Sequence, residues 1–554
     1  MSAIAPRPGS GTPLGTDTSA VPDTSSAGLP PAWVITAALS VVYLILAPQS
    51  PDLAAASYRS ELFSRVGFTL WDNSWYGGHH LLAYSLLAPA LGALIGPQTL
   101  AAISMILATW LFAKVIDGRF PTNATRAAAI FFALGASVAL LSSRVPFNLG
   151  LAIGLGAVLM AQQRRLAFAL VLSVVTSLAS PVAGAFLALA FLAWALAGPA
   201  RGWPLVLSIA ALAPIALLTL AFPEGGAQPF VASAYFPDVV AVLLLAALMQ
   251  SEPAPGATRV LQIGTLLYAA ALTGSYLIPT AVGGNVDRLG ALVGGPVAAC
   301  VLAGRSRARL RALVVLAPFL FYWQATAPVT DFASTLSNPS VNASFYEPLI
   351  GELHALDIGY GARPARIEVV ATADHWEARY VAPHVMIARG WERQLDTYRN
   401  SLFYEAAEPL TAERYRTWLT QNAISYVALP DAPLDYSAHT EAKLVGSGQA
   451  NYLHEIWHSA RWRLFAVEDA APLISPPGTL ERVGSDSLTL YAPQAGTYVV
   501  KVRYTPYWAL AGGSGCVGEA RAGWTEIQAR KTGRFRVVIR FSPGRMFSRA
   551  LRCG

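Results

Sequence analysis

Charge is what this chain has least of. Only 13% of its 554 residues are Asp, Glu, Lys or Arg, against about 25% in an ordinary soluble protein. That excludes a soluble fold over the whole length. The deficit is local: between Ala32 and Thr326 apolar runs alternate with short polar turns, whereas Ala327–Gly554 has a soluble protein's composition. The N-terminus also lacks a charged segment running straight into an apolar core, so no cleaved signal peptide is expected. Residues 1–30, rich in Pro, Gly, Ser and Thr, bury too little to order themselves and read as a disordered cytoplasmic tail. No internal repeat of the transporter kind is evident. The basic balance, net +7, does not indicate nucleic acid, because the arginines sit in short loops between apolar runs, where they orient a membrane protein.

What is present is a series of apolar runs at roughly 32–48, 98–116, 127–143, 147–162, 166–179, 182–198, 203–222, 236–250, 260–280, 289–304 and 312–326. The segment 81–96 is apolar but interrupted by Pro89, and reads either as a span or as a helix dipping into the outer leaflet. One set of loops holds Lys114, Arg119, Arg126, Arg164, Arg165, Arg201, Arg259, Arg305, Arg307, Arg309 and Arg311; the opposite set holds only Arg59, Arg65, Arg144 and Arg288 as cations. Basic loops stay in the cytoplasm, and the phasing holds only if 81–96 does not cross. The expected fold class is a polytopic α-helical membrane protein of about eleven spans with a C-terminal extracytoplasmic α/β plus β-sandwich region. Its expected parts are a tail 1–30, a transmembrane domain 31–326 whose first external loop is 49–97, an α/β domain 327–470 and a β-sandwich 471–554.

On this topology the outer acids of the membrane region are Asp52, Glu61, Asp72, Glu224, Asp238 and Asp287, set among many aromatics. Few charges among many rings suit a cavity at the headgroup level, although aromatics also line functionless interfaces.

An Asp just after the first span, a short amphipathic helix, "GFTLW", then "WYGG" and "YSLLAP" resemble the family C glycosyltransferases, and within them the multi-span bacterial membrane proteins of the YfhO type. The likeness covers 32–326 in layout and 50–90 in specific residues. It implies a sugar transferred from a polyprenyl-phosphate donor to an envelope glycan or glycolipid acceptor at the outer face of the cytoplasmic membrane, with membrane lipids as the other partners and no nucleic acid. It places the catalytic carboxylate at Asp52, with Asp72 as second candidate, and the phosphate-binding cations at Arg288, Arg144 and, third, Arg59. Arg144 and Arg288 read equally well as orienting charges in the headgroup zone. Trp71, Trp75, Tyr76, His79, His80, Tyr84 and Asp287 are the expected lining of the substrate cavity. No metal ligands are assigned; the cofactor is left unknown, a divalent cation such as Mg or Mn being the class the superfamily admits. At most one of His79 and His80 can share a centre with Asp72. The alternatives are a membrane transporter or lipid flippase, and a non-catalytic envelope assembly protein.

Beyond 326, 365–372, 384–390, 424–430 and 462–469 read as strands, and 411–423, opened by Thr411, as a helix. From about 475 the period-two alternation predicts a β-sandwich. "HEIWH" (454–458) fits the zinc-protease signature, but lacks the third-histidine continuation and is expected to be a coincidence on an amphipathic helix. Cys516 and Cys553 fall on the outer side of the expected topology, where an oxidising compartment favours a disulfide over two separate thiols.

Overall fold

The computed structural model describes residues 30–199, 201–249, 256–303, 306–361, 363–405, 408–547 and 551–553. The expected tail therefore lies outside the described residues, as does Arg305. Every apolar run becomes a helix, the conformation that satisfies its own backbone polar groups where no water can. These are α1 (Ala32–Leu46), α2 (Pro51–Val66), α3 (Ala88–Ile95), α4 (Pro97–Ile116), α5 (Thr122–Ala139), α6 (Val145–Gln162), α7 (Leu166–Ala179), α8 (Pro181–Ala197), α9 (Gly202–Ala221), α10 (Ala232–Met249), α11 (Ala257–Leu277), α12 (Asp287–Leu302) and α13 (Arg307–Thr335). Among the described residues eight helices are long and apolar enough to cross a bilayer, and α7 and α8 are shorter apolar helices. The ambiguous segment 81–96 contributes only the eight residues of α3, about 12 Å of helix and far short of a bilayer.

Helices α1 and α2 are bent 79° apart. Pro48 and Pro51 flank the break, and Ala47 takes the left-handed region at φ 44. The N-cap residue Ser50 donates its hydroxyl to the Ser142 carbonyl at 2.8 Å, which docks the start of α2 beside the turn joining α5 to α6. The last of these apolar helices, α13, runs to Thr335, nine residues past the expected end of its span at 326. Pro328 there does not stop the helix.

A two-stranded hairpin, β1 (Trp71–Asp72) and β2 (His79–His80), follows α2. After α13 come α14 (Ala343–Ala355), a parallel pair β3 (Ile358–Gly359) and β4 (Arg363–Pro364), then β5 (Arg366–Val369), α15 (Glu377–Tyr380), β6 (Met386–Ile387), α16 (Arg393–Arg399), α17 (Ala412–Gln421), β7 (Ile424–Pro430), α18 (His439–Gly446), β8 (Leu453–His458) and β9 (Trp462–Val467). Their five-stranded sheet runs β6-β5-β7-β9-β8. The cap expected at Thr411 forms, its side chain accepting from the Arg414 amide.

The sandwich comprises β10 (Thr479–Val483), β11 (Ser487–Ala492), β12 (Gly496–Arg503), β13 (Trp508–Gly512), β14 (Gly515–Glu519), β15 (Trp524–Ala529), β16 (Gly533–Ile539) and β17 (Arg552–Cys553). One sheet runs β10-β11-β16-β13 and the other β12-β15-β14-β17. Leu488, Leu490, Val500, Val502, Ile527, Phe535 and Val537 meet between them, the inward half of each alternation. Cys516 and Cys553 are disulfide-linked.

One expectation is overturned here. "HEIWH" is not helical but the strand β8. On a helix, residues four apart lie about 5–6 Å from one another; on a strand they are about 13 Å apart. His454 and His458 are both exposed, and cannot share a zinc ion.

The disulfide spans 37 residues. Replacing both cysteines by serine is expected to destabilise the sandwich by about 2–4 kcal/mol, read as a lowered thermal midpoint for the double variant against the parent. An unchanged midpoint would contradict it.

Candidate functional site

A cavity of about 790 Å³ lies where α2, α6, α8, α9, α10, α12 and α13 meet residues 391–394 of the C-terminal region. Its polar end is assembled at helix starts. Asp52 is the second residue of α2, in the first turn, where the helix dipole favours a carboxylate. Arg144 immediately precedes α6, after a tight turn in which Ser143 is left-handed at φ 49. The Ser143 hydroxyl is held by the Tyr43 hydroxyl at 2.7 Å. Arg288 is the second residue of α12, a start fixed by Tyr268, whose hydroxyl donates to the Val286 carbonyl at 3.0 Å and accepts from the Gly290 amide at 2.9 Å.

These three starts converge. Arg144 Nε donates to Asp52 Oδ2 at 3.1 Å, and an Arg288 terminal nitrogen lies 3.9 Å from the same oxygen. A third acid, Asp331, joins from the extra turns of α13. It lies 3.8 Å from Arg144 and accepts from the Ser142 hydroxyl. Asp287 accepts from Trp323 Nε1 at 2.7 Å. Phe147, Ile215, Leu218, Phe222, Phe230 and Val231 make the remainder of the cavity largely apolar. The Asp52 and Arg144 side chains each keep more than a quarter of their surface accessible, Arg288 about a fifth, so ligand can reach all three.

Of the residues singled out by the sequence, Asp52, Tyr84, Arg144, Asp287 and Arg288 line this cavity. The others are placed elsewhere. Arg59 is buried behind the wall, ion-paired to Glu392 with its guanidinium 4.1 Å over the Tyr84 ring. Asp72 is fully buried and accepts from the Tyr58 hydroxyl at 2.7 Å and the Ser74 amide at 3.1 Å. Burial raises its carboxyl above the ordinary aspartate range despite these bonds. Trp71, Trp75, Tyr76, His79 and His80 are buried and do not line the cavity. Trp71 sits in the sandwich core, 5.9 Å from Trp508. Trp75 packs between Tyr58 and His79 and donates to the Ala378 carbonyl. Burial lowers the His79 imidazole to about 3, so it is neutral at any ordinary pH. These rings fasten the first loop to the C-terminal region instead of greeting a substrate.

Sequence reasoning missed Asp331, Glu392, Trp391 and Arg393, all on the cavity wall. Asp331 falls past 326, the expected end of the last apolar run, whereas α13 continues to Thr335. The segment "GWERQ" carries no periodic or motif signal at all.

Glu224, also on the wall, is clamped by Arg399 at 2.7 Å and His80 Nδ1 at 2.8 Å. Burial pushes its carboxyl up, but Arg399 and His80 outweigh burial and hold it at about 2. Among the described residues no three His, Cys, Asp or Glu side chains gather closely enough to hold a metal ion. Asp52 is instead committed to guanidinium groups, a donor set that suits an anion rather than a divalent cation.

The sequence matches no known family model and no curated protein. Among solved structures it is similar to the arabinofuranosyltransferase AftD from Mycobacteria, at 15% identity over 79% of this chain and 39% of that one, with a TM-score of 0.43. It is also similar to the Archaeoglobus fulgidus oligosaccharyltransferase in its apo form, at 12% identity over 94% and 95%, TM-score 0.43. The archaeal oligosaccharyltransferase AglB from the same organism, in complex with an inhibitory peptide and a dolichol-phosphate, gives 14% identity over 72% and 69%, TM-score 0.37. The chain spans about two fifths of the length of AftD. All three likenesses are distant.

Because the Glu224 carboxyl is held at about 2, below its ordinary 4.5, its contribution is complete above pH 4.5 and is lost as pH falls toward 2. The shift is worth about 3 kcal/mol. Glu224→Gln should remove it at neutral pH. Hydrogen exchange at 222–231 is expected to rise in the variant at pH 7, and unchanged protection would refute the clamp.

Proposed function

We propose that this protein is a membrane glycosyltransferase that moves a sugar from a polyprenyl-phosphate donor to an envelope glycan or glycolipid at the outer face of the cytoplasmic membrane. The observation that carries this is the pairing of one accessible carboxylate, Asp52, with two guanidinium groups, Arg144 and Arg288, at the end of a largely apolar cavity. The YfhO-type loop pattern around 50–90 points the same way.

The chemistry follows from the groups present. A lipid phosphate entering the cavity offers the two arginines a better partner than Asp52, because each guanidinium can bind phosphate oxygens through paired N–H donors. The phosphate then takes over the cations and Asp52 is released from them. Freed, the carboxylate is placed to accept the proton of an acceptor hydroxyl as it attacks the anomeric carbon. The bond to phosphate breaks as the new glycosidic bond forms, and the arginines stabilise the negative charge on the departing phosphate. Attack opposite the leaving group inverts the anomeric centre. The apolar side chains of α9 with Phe222, Phe230 and Val231 suit a prenyl chain, and residues 391–394 line a polar side, which suits an acceptor. On this reading eleven helices cross the membrane and the C-terminal region lies outside it.

Asp52→Asn should lower transfer from a polyprenyl-phosphate sugar at least 100-fold, the scale of general-base loss, with donor binding retained. Arg288→Ala should weaken donor binding. Asp72→Asn, remote from the cavity, should change thermal stability more than the rate measured per folded molecule. Full transfer by Asp52→Asn, or substrate flux in sealed vesicles without transfer, would overturn the assignment.

A further inference from the structure

Charge in this chain is not only scarce but unevenly placed. Residues 471–554 contain twelve Lys or Arg and four Asp or Glu, a net of +8, while the other 470 residues sum to −1. The excess is organised by the sandwich. In the sheet β10-β11-β16-β13, Leu488 and Leu490 pair with Val537 and Phe535 on the buried face. The alternate residues must face out: Thr489 opposite Arg536, and Tyr491 opposite Arg534. Arg482 of β10 is registered with Thr489 on its other side.

The outer face is therefore a grid. Arg482, Thr489 and Arg536 form one row across three strands, and Tyr491 and Arg534 form the next. Strands lie about 4.8 Å apart and alternate residues about 7 Å apart, so the three arginines spread over roughly 10 Å. All three, with Tyr491, are exposed. Arg534 has a partner, Glu481, at 3.0 Å; Arg482 and Arg536 have no ion-pair partner among the described residues. Lys531, in the β15–β16 turn, and Arg540, past the end of β16, extend the positive edge along the same strand.

We propose that this face binds an acidic glycan chain. The three positions spread over roughly 10 Å of a flat outer face, a spacing that an extended chain bearing a negative group every sugar or two matches better than a single small anion. Tyr491 in the middle offers a ring face for a sugar. A lipid surface fits less well. The exposed apolar residues suited to a bilayer edge, Phe541 and Phe547, lie off this grid. Phe541 packs on Tyr507 and Phe222 at the end of α9. The glycan assignment deepens the transferase reading by naming the acceptor as an anionic polymer, held outside the cavity while one end reacts.

The test uses the full chain in nanodiscs of neutral lipid. Polygalacturonate is the probe, dextran the neutral control, and phosphatidylglycerol vesicles the lipid control. The parent should bind polygalacturonate and not dextran, with affinity falling as salt rises. The triple variant Arg482→Ser, Arg534→Ser, Arg536→Ser should bind at least tenfold more weakly with an unchanged thermal midpoint, and Tyr491→Ala severalfold more weakly. Asp52→Asn should bind like the parent even where it abolishes transfer, so loss of the transferase reading and loss of this one give different results. Equal binding by the triple variant, equal retention on dextran, or a preference for phosphatidylglycerol vesicles over polygalacturonate would overturn the proposal.

Discussion

The insertion of the first external loop between the helices and the C-terminal region is the contact on which the rest depends. Trp71 enters the sandwich core and Trp75 the core under the five-stranded sheet. A buried tryptophan removes about 150–250 Å² from water, or roughly 4–6 kcal/mol each at the usual transfer coefficient. Main-chain bonds complete the seam. The Asn73 amide donates to Ser485, the Ile387 amide to Ser74, and the Arg503 amide to Gly77, at 2.7–2.9 Å. The loop can come so close because of glycine. A side chain at Gly78, where φ is +116, would strike the Trp71 ring, and one at Gly390 would sit 2.6 Å from Trp75.

That seam also fixes the cavity. Glu392 lies on its wall, and the ion pair with buried Arg59 ties that wall to α2, the helix that presents Asp52. Burial raises the Glu392 carboxyl even against Arg59, so the pair is a costly one to hold in place. At one end of the cavity Arg144 and Arg288 lie beside Asp52, and Arg144 also beside Asp331. The cations are satisfied by protein carboxylates, which lets two arginines stand close together at these helix starts. On the proposed reading the same balance suits a phosphate, which would exchange partners with a charge already present instead of stripping a bare cation of water.

The helices were legible in the sequence because apolar periodicity over 15–20 residues has few other meanings. Asp52, Arg144 and Arg288 were legible for another reason. They came from the resemblance to family C glycosyltransferases, with the outer arginines picked out by their scarcity on that side, although 92 and 236 residues separate the arginines from Asp52. The hairpin 71–80 was misleading. Aromatics mixed with Asp and His describe a substrate cavity and an interdomain seam equally well, since both are partly polar and tightly packed. Asp331 was missed because the apolar composition ends near 326, while the helix itself runs on through Pro328 to Thr335. "HEIWH" shows the limit of a motif without context. Its spacing has meaning only on a helix, and strand pairing with Trp462–Val467 decides otherwise.

The positive charge of the sandwich does not conflict with the topology drawn from basic loops. The positive-inside bias acts through short loops close to the spans, while long domains cross largely regardless of charge. Residues 471–554 begin well over a hundred residues after α13 ends at Thr335, so their arginines carry no weight in setting orientation. Nor does folding demand them, since the outward positions of an antiparallel sheet accept many polar residues and like charges on neighbouring strands repel. Arg534 is relieved by Glu481, but Arg482 and Arg536 gain no such relief among the described residues. On the reading proposed above, a face that sets exposed cations around one exposed tyrosine suits a ligand outside the molecule, and a chain of linked, negatively charged sugars is the one whose spacing fits the grid.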